Sequence, residues 1–202
     1  MDHYTPLFPG NTYYLIAHAV GSEQLFREQE NYRFFLARFF FYAQPVVKTI
    51  TYCLMPNHFH FMIQVRSEQD IGSFYHQKKN SEPVAEMLPV FVMQQFSNLL
   101  NSYSKAYNKV YKRRGALFVD HLKRIEVNDD QYFTALVLYV HNNPVKHGFC
   151  SAAGEWKWSG YHEILSDAPT YLERNEVLQW FGGRTPFMKS HESALGINLE
   201  GL

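Results

Sequence analysis

Three short stretches in the first third of the chain are dominated by apolar residues, at positions 11–20, 47–55 and 58–65. Each is rich in aromatic and β-branched residues, which pack well on a pleated sheet, and each is bordered by turn-forming residues. This pattern predicts three strands. A proline and an asparagine at residues 56–57 form the short connection between the second and third strands, so these two are expected to pair as an antiparallel hairpin.

Apolar residues spaced three and four apart predict helices elsewhere in the chain. They are expected at residues 28–44, 90–110 and 128–143, with a shorter helix at residues 171–183. The third helix is expected to end before Pro144, because proline has no amide hydrogen to donate within a helix.

The remaining segments complete a mixed α+β pattern. Residues 66–89 are polar and predict a loop, whereas residues 116–127 predict a further strand or hairpin arm. The resulting order, β-α-β-β-α-(β)-α, predicts an antiparallel-rich sheet with helices packed on one face, of the ferredoxin-like kind. The tail aromatics Trp156 and Trp158 are expected to pack inside the protein rather than to stack on a ligand.

Composition adds limits to this picture. The chain has 202 residues, of which 46% are hydrophobic and 17% aromatic, so a sizeable core is expected and global disorder is excluded. Nineteen basic and nineteen acidic residues cancel, so any basic surface must be local. The sequence shows neither a signal-peptide pattern nor an apolar stretch as long as the roughly 20 residues that a membrane helix needs. We therefore expect a cytoplasmic protein with no membrane partner.

The third predicted strand carries two histidines, His58 and His60, in an otherwise apolar run. Residues two apart on a strand share a face, so both imidazoles point the same way, while Phe59 and Phe61 point to the other side and suit the core. Two imidazoles at this separation can converge on one divalent ion. The alternative is a half-exposed strand with two polar residues facing water.

The predicted helix at residues 128–143 carries a second candidate group. Tyr139 and Asn143 are four residues apart and therefore project from one helical face. The amide oxygen of Asn143 is a candidate third ligand for a hard cation, with the phenol of Tyr139 about one turn away. Taken alone, a tyrosine on an amphipathic helix is more typical of a core or rim aromatic.

Together these two regions resemble the single-tyrosine HUH transposases, and among them the REP-associated tyrosine transposases. The resemblance lies in YCLMPNHFHFMIQV, residues 52–65, and YVHNNPVKHGF, residues 139–149, and extends over about residues 10–165. HUH denotes two histidines that flank a bulky hydrophobic residue. The second signature is a helical tyrosine, three residues, Asn-Pro, then a basic residue and a glycine. In this sequence the two signatures read His58-Phe59-His60 and Tyr139, Asn143-Pro144, Lys146 and Gly148.

The resemblance implies that residues 1–148 form a catalytic domain of the HUH endonuclease type, followed by an extension at residues 149–202 that packs on or extends the core. The enzyme would cleave and rejoin single-stranded or hairpin DNA, with REP-like palindromes among its candidate substrates. Tyr139 would be the nucleophile that forms a 5′-phosphotyrosine intermediate. A divalent metal, Mg²⁺ or Mn²⁺, would be held by three side chains: His58, His60 and Asn143.

The resemblance also implies a bacterial, nucleoid-associated protein, and it leaves open whether the protein is a monomer or a homodimer. Two other functions remain open. One is a catalytically inactive nucleic-acid-binding protein of the same fold. The other is a metal-dependent phosphoesterase that uses the histidines without the tyrosine.

Although the chain is neutral overall, residues 105–124 are strongly basic, with Asp120 as their only acidic member. Three tyrosines, Tyr103, Tyr107 and Tyr111, are interspersed, and cations next to aromatic rings suit phosphates next to unpaired bases. The alternative is a solvated helix end, where the helix dipole favours cations. The predicted DNA-binding cations are Lys105, Lys109, Lys112, Arg113, Arg114, Lys123 and Arg124.

Overall fold

A four-stranded antiparallel sheet organises the computed structural model, which describes residues 5–119 and 122–194. The strands lie in the order β2-β3-β1-β4. Their bounds are Thr12–His18 for β1, Val47–Met55 for β2, His58–Val65 for β3 and Lys123–Glu126 for β4. The predicted α+β class and the antiparallel hairpin of β2 and β3 are both confirmed.

Seven α-helices lie in the described part of the chain, together with two short 3₁₀ turns at Ala85–Met87 and Ala153–Glu155. The helices are α1 (Gln29–Ala43), α2 (Glu68–Lys79), α3 (Leu88–Val110), α4 (Asp130–Lys146), α5 (Tyr161–Leu165), α6 (Arg174–Phe181) and α7 (Arg184–Ser193).

One face of the sheet, which we call the phenylalanine face, carries Phe59 and Phe61 of β3. The ring of Phe61 stacks on Phe39 of α1 with ring centres 3.9 Å apart, and Phe59 lies 5.0 Å from Phe35. Helix α3 packs against α1. These side chains are buried, so the main apolar core lies on this face, as the alternation in β3 predicts.

The opposite face carries His58 and His60 of β3, and we call it the histidine face. Helix α4 covers it through fully buried apolar residues such as Val137 and Val140. The expectation of helices on one face only is therefore wrong. The physical reason lies in β2 and β3, where nearly every residue is buried, and strands buried on both faces need cover on both sides.

The predicted loop at residues 66–89 is also wrong, because half of it forms α2 and its last two residues begin α3. The hydroxyl of Ser67 accepts a hydrogen bond from the amide of Asp70 and caps the first turn. Asn80 ends the helix in the left-handed conformation. Ile71 is the one buried residue of this helix, so the sequence shows almost no apolar periodicity there.

Two predicted boundaries differ from the structure. Helix α4 continues through Pro144 to Lys146, and the next turn is held by a 3.0 Å hydrogen bond from the amide of His147 to the carbonyl of Asn143. The predicted strand at residues 116–127 contains only β4 and an isolated bridge between Phe118 and Ala19 in its described part. Residues 120–121 lie outside the described residues.

The C-terminal segment packs directly onto the sheet and onto α4. The amide of Leu54 donates to the carbonyl of Trp158 at 2.8 Å, and the amide of Gly160 donates to that of Tyr52 at 2.9 Å, along the edge of β2. Trp158 stacks on Tyr32 with ring centres 4.5 Å apart, and this partly buried tryptophan packs against the core as predicted. Helices α6 and α7 then contact α4.

Candidate active site

The two histidines of β3 lie side by side under α4. His58 and His60 are 5% and 4% exposed, and their ring centres are 4.8 Å apart. Nδ1 of His58 hydrogen-bonds Oδ1 of Asn57 at 2.8 Å. Nδ1 of His60 hydrogen-bonds the hydroxyl of Tyr14, on the neighbouring strand β1, at 2.6 Å. Nε2 of His60 is inaccessible to solvent and has no hydrogen-bond partner.

Burial keeps both imidazoles neutral. It lowers the pKa of His58 to about 3 and lowers the pKa of His60 well below its ordinary value. The nearby imidazoles of His18 and His147 act in the same direction, because a second positive charge would repel the first. Neutral imidazole is the form that binds a metal ion.

Helix α4 brings Tyr139 and Asn143 to the same place. The ring of Tyr139 lies edge-on to His60 with ring centres 6.2 Å apart. Asn143 is buried, and its amino group donates to the carbonyl of Tyr139 at 3.1 Å. Because that bond uses the amino group, the carboxamide oxygen is the atom left to contact His60 or a cation. Nζ of Lys146 lies 5.7 Å from the centre of the Tyr139 ring.

Three further residues at this site were missed by sequence reasoning. Tyr14 stacks on His60 with ring centres 5.6 Å apart, and His18 stacks on His58 at 4.8 Å. His147 lies 5.3 Å from His58. The signals were present: Tyr14 and His18 fall on alternate positions of β1, and His147 follows Tyr139 by eight residues, which is two further helical steps of four.

The donor atoms fit a divalent cation. Among residues 5–119 and 122–194, no group of three or more His, Cys, Asp or Glu side chains is placed to hold a metal ion. A metal here would therefore depend on the two imidazoles and the carboxamide oxygen of Asn143, a mixed set whose nitrogens suit Zn²⁺ or Fe²⁺ and whose oxygen suits Mg²⁺ or Mn²⁺. A buried polar atom without a partner is costly. A cation at Nε2 of His60 would remove that cost.

The seven predicted DNA-binding cations divide into two groups. Five have exposed side chains: Lys105, Lys109, Lys112, Arg114 and Lys123. The other two are committed to the fold. Arg113 donates to the side chain of Asn108 and to the carbonyl of Ala116, and buried Arg124 donates to the carbonyls of Thr5 and Leu122.

The tyrosines among these cations are mostly unavailable for stacking. Tyr103 and Tyr107 are buried, and their hydroxyls donate to the carbonyls of Leu25 and Gln24, each at 2.5 Å. The expectation that these two rings stack on bases is therefore wrong. The ring of Tyr111 is partly exposed and lies 4.6 Å from the guanidinium of Arg27.

Of the five exposed cations, Lys123 lies near the candidate site. Lys123 pairs with Ile16 on β1, on the histidine face, and its charge contributes to lowering the pKa of His18. The chain that leaves α3 reaches the same end of the sheet, where Phe118 bridges Ala19 next to His18.

Comparisons with known proteins bear on the family. No family model matches the chain. A curated relative from Haemophilus influenzae, described as a REP-associated tyrosine transposase, is 24% identical over 124 residues, which cover 57% of this chain and 59% of the relative. A solved structure of a REP-associated tyrosine transposase bound to a REP hairpin matches with a TM-score of 0.60 and 13% identity, over 84% of this chain and 89% of that chain. The resemblance to the REP-associated tyrosine transposases is confirmed.

The structural match shows that this chain shares the fold of a REP-associated tyrosine transposase. The match in sequence spans about three-fifths of the length of the curated relative. None of the helices in the described ranges has the length and the apolar character that crossing a lipid bilayer requires.

Proposed function

We propose that this protein is a transposase-type enzyme that cleaves and rejoins single-stranded or hairpin DNA through a covalent bond to Tyr139. The observation that carries the proposal is the convergence of side chains from β3 and α4 of one chain at one place. His60 lies 4.8 Å from His58 and 6.2 Å from Tyr139 between ring centres, and Asn143 lies one helical turn beyond Tyr139.

In this reaction the phenolic oxygen of Tyr139 attacks the phosphorus of the scissile phosphodiester. A bond forms between that oxygen and phosphorus while the bond from phosphorus to the 3′ oxygen breaks. The phenol loses its proton, and the departing 3′ oxygen takes one up. The products are a 5′-phosphotyrosine and a free 3′-hydroxyl. Attack by another 3′-hydroxyl reverses the step and joins new ends.

His58, His60 and Asn143 would hold a divalent metal, Mg²⁺ or Mn²⁺. When bound, such an ion polarises the phosphate and stabilises the negative charge that develops on its oxygens. The buried, neutral imidazoles keep their lone pairs available at neutral pH. Lys146, whose Nζ lies 5.7 Å from the centre of the Tyr139 ring, adds a positive charge near the nucleophile.

We also propose that the DNA substrate is a hairpin. A related structure was solved with a REP hairpin bound, which supports hairpin DNA and REP-like palindromes as ligands here as well. Five exposed cations suit the phosphates of such a strand: Lys105, Lys109, Lys112, Arg114 and Lys123. Of these, Lys123 lies on the histidine face beside the candidate site. Tyr139 lies against His60 of its own chain, which supports a site complete within one protomer.

The test uses labelled hairpin DNA, Mn²⁺ and a denaturing gel. The wild-type protein is expected to form a covalent protein–DNA adduct. Tyr139→Phe is expected to bind the hairpin with similar affinity and to form no adduct, because the substitution removes only the attacking oxygen. An adduct with Tyr139→Phe would show that another residue is the nucleophile.

The same assay separates the two other functions. Cleavage without an adduct would indicate a metal-dependent phosphoesterase that does not use Tyr139. Binding without cleavage, in the presence of either Mg²⁺ or Mn²⁺, would indicate an inactive nucleic-acid-binding protein.

A further inference from the structure

Tyr14 of β1 contacts both His60 and Tyr139. It is 2% exposed. Its hydroxyl lies 2.6 Å from Nδ1 of His60. The ring planes of Tyr14 and His60 are nearly parallel, with an angle of 5° between them. The ring of Tyr14 is edge-on to that of Tyr139, with an angle of 80° between the planes and 6.1 Å between the ring centres. A candidate metal ligand and the candidate nucleophile therefore share one neighbour.

The hydrogen bond between Tyr14 and His60 bears on which nitrogen of His60 carries the proton. A neutral imidazole has one N–H and one lone pair. With the proton on Nδ1, that nitrogen donates to the oxygen of Tyr14, and the lone pair lies at Nε2. With the proton on Nε2, that buried N–H would have the side chain of Asn143 nearby but would complete no hydrogen bond in the structure. Buried N–H groups without an acceptor are rarer than buried acceptors without a donor, because their cost is high.

We propose that Tyr14 is a positioning residue: its oxygen accepts the Nδ1 proton of His60, which leaves the Nε2 lone pair free for a divalent cation, and its ring fixes the place of Tyr139. The part of this inference that concerns metal rests on the proposed function above. The part that concerns the proton position does not, because it describes the protein without metal.

A hydrogen-bonded partner on the far nitrogen of a metal-binding histidine commonly changes metal affinity about 10- to 100-fold when it is removed. Tyr14→Phe removes the oxygen and keeps the ring. It is therefore expected to weaken metal binding while leaving the edge-on contact with Tyr139.

The chain offers a matched control in Tyr13. This tyrosine lies on the same strand but points to the opposite face. Its hydroxyl donates to the carbonyl of Pro6 and accepts from the amide of Phe8, both at 2.9 Å. Tyr13→Phe thus removes a hydroxyl from the same strand without touching His60. Thermal unfolding of both variants checks that each is folded.

The first experiment measures the proton position in metal-free protein by two-bond ¹H–¹⁵N correlation NMR of the histidine rings. Wild-type His60 is expected to carry its proton on Nδ1, and the same is expected in Tyr13→Phe. Tyr14→Phe is expected to lose this preference. A proton on Nε2 of wild-type His60, or an unchanged spectrum in Tyr14→Phe, would overturn the inference.

The second experiment titrates Mn²⁺ and follows the free ion by electron paramagnetic resonance. Tyr14→Phe is expected to bind about 10- to 100-fold more weakly than wild type, with Tyr13→Phe unchanged and His60→Ala without binding. Loss of binding in His60→Ala together with wild-type affinity in Tyr14→Phe would overturn the role of Tyr14 and leave the proposed function intact. Full binding in His60→Ala would instead overturn the proposed metal site, and the NMR result would then decide the role of Tyr14 alone.

Discussion

Two pairs of buried histidines are associated with the histidine face, and they differ in how their ring nitrogens are used. In the pair formed by His141 of α4 and His191 of α7, every nitrogen has a partner. In the pair formed by His58 and His60, Nε2 of His60 has none. Both pairs are almost fully buried, so burial alone does not explain the difference.

The first pair forms a chain of hydrogen bonds with one consistent proton arrangement. Nδ1 of His191 donates to the carbonyl of Phe187 at 2.7 Å, so its Nε2 must accept. Nδ1 of His141 donates to that nitrogen at 2.8 Å. Nε2 of His141 then accepts from the hydroxyl of Thr51 at 2.5 Å. This chain joins α7 to α4 and α4 to β2, which indicates a structural role.

The contrast suggests a rule for this molecule. The fully hydrogen-bonded pair holds elements together, whereas His60 is the residue for which we propose a lone pair free for a cation.

The largest effect on activity or stability is expected from alanine substitutions that replace one histidine of each pair. His60→Ala should slow formation of the covalent DNA adduct about a thousandfold, because losing metal stabilisation of the phosphate costs several kcal/mol. It should lower the free energy of unfolding in EDTA less than His141→Ala does, because it removes one hydrogen bond, to Tyr14, rather than two. His141→Ala should destabilise the protein by about 3 kcal/mol, because it leaves Thr51 and His191 without a partner and opens a cavity.

Adduct assays and urea unfolding of the two variants check this prediction. The comparison fails if His60→Ala destabilises the protein as much as His141→Ala and leaves the rate of adduct formation unchanged.

The second prediction concerns stability at acid pH. Burial lowers the pKa of His191 from 6.5 to about 4 in the folded protein. Between these values the unfolded chain binds more protons, so stability is complete above about pH 6.5 and falls as the pH drops towards 4. The contribution of this one group is about 3 kcal/mol.

Urea unfolding in EDTA at several pH values, for wild type and His191→Gln, measures this contribution. The variant should be less stable at pH 7.5, and the difference from wild type should shrink by pH 4. His76→Gln is the control for the substitution itself, because the side chain of His76 on α2 is exposed and its replacement disturbs no buried hydrogen bond. A constant difference between wild type and His191→Gln across this range would contradict the assignment.

The third prediction tests the close packing around the first pair. A methyl group added at Gly160 would lie 2.5 Å from Oγ1 of Thr51 and 3.4 Å from Nε2 of His141. Gly160→Ala should therefore lower the free energy of unfolding by about 2 kcal/mol. Gly72→Ala in α2 is the matched control, because its methyl group would meet nothing closer than 3.8 Å and alanine is the better helix former. Equal stability of the two variants in urea would contradict the packing described here.

The smallest effect is expected at the cationic surface. Arg114→Gln should weaken hairpin binding severalfold and reduce the slope of log affinity against log salt by about 1, because one phosphate contact is lost. Lys79→Gln, on the exposed end of α2, should change neither quantity. Fluorescence anisotropy at several salt concentrations measures both, and an equal response from the two variants would mean that the DNA does not contact Arg114.

Local patterns in the sequence predicted the parts of the site that share one element. Alternation placed His58 and His60 on one face of a strand, and a spacing of four placed Tyr139 and Asn143 on one face of a helix; the structure confirms both placements. The roles of these residues stay predictions until they are tested.

Features that depend on distant pairings were not visible. The contact of Tyr14 with His60 follows from the register of β1 on β3, and His141 meets a histidine 50 residues away. Arg124 looked like a surface cation, yet its guanidinium serves two backbone carbonyls. Helix α2 was missed because surface helices with one buried residue lack the apolar period that sequence reasoning uses.

The central claim is that Tyr139 attacks DNA at a site built around an imidazole with a free lone pair. Peptide mapping by mass spectrometry, after reaction of the wild-type protein with hairpin DNA and Mn²⁺, tests it most directly. We predict a nucleotide attached through its 5′ phosphate to the peptide that contains Tyr139, and none in His60→Ala. A nucleotide attached to a different residue, or cleaved DNA with no attached peptide, would contradict the claim.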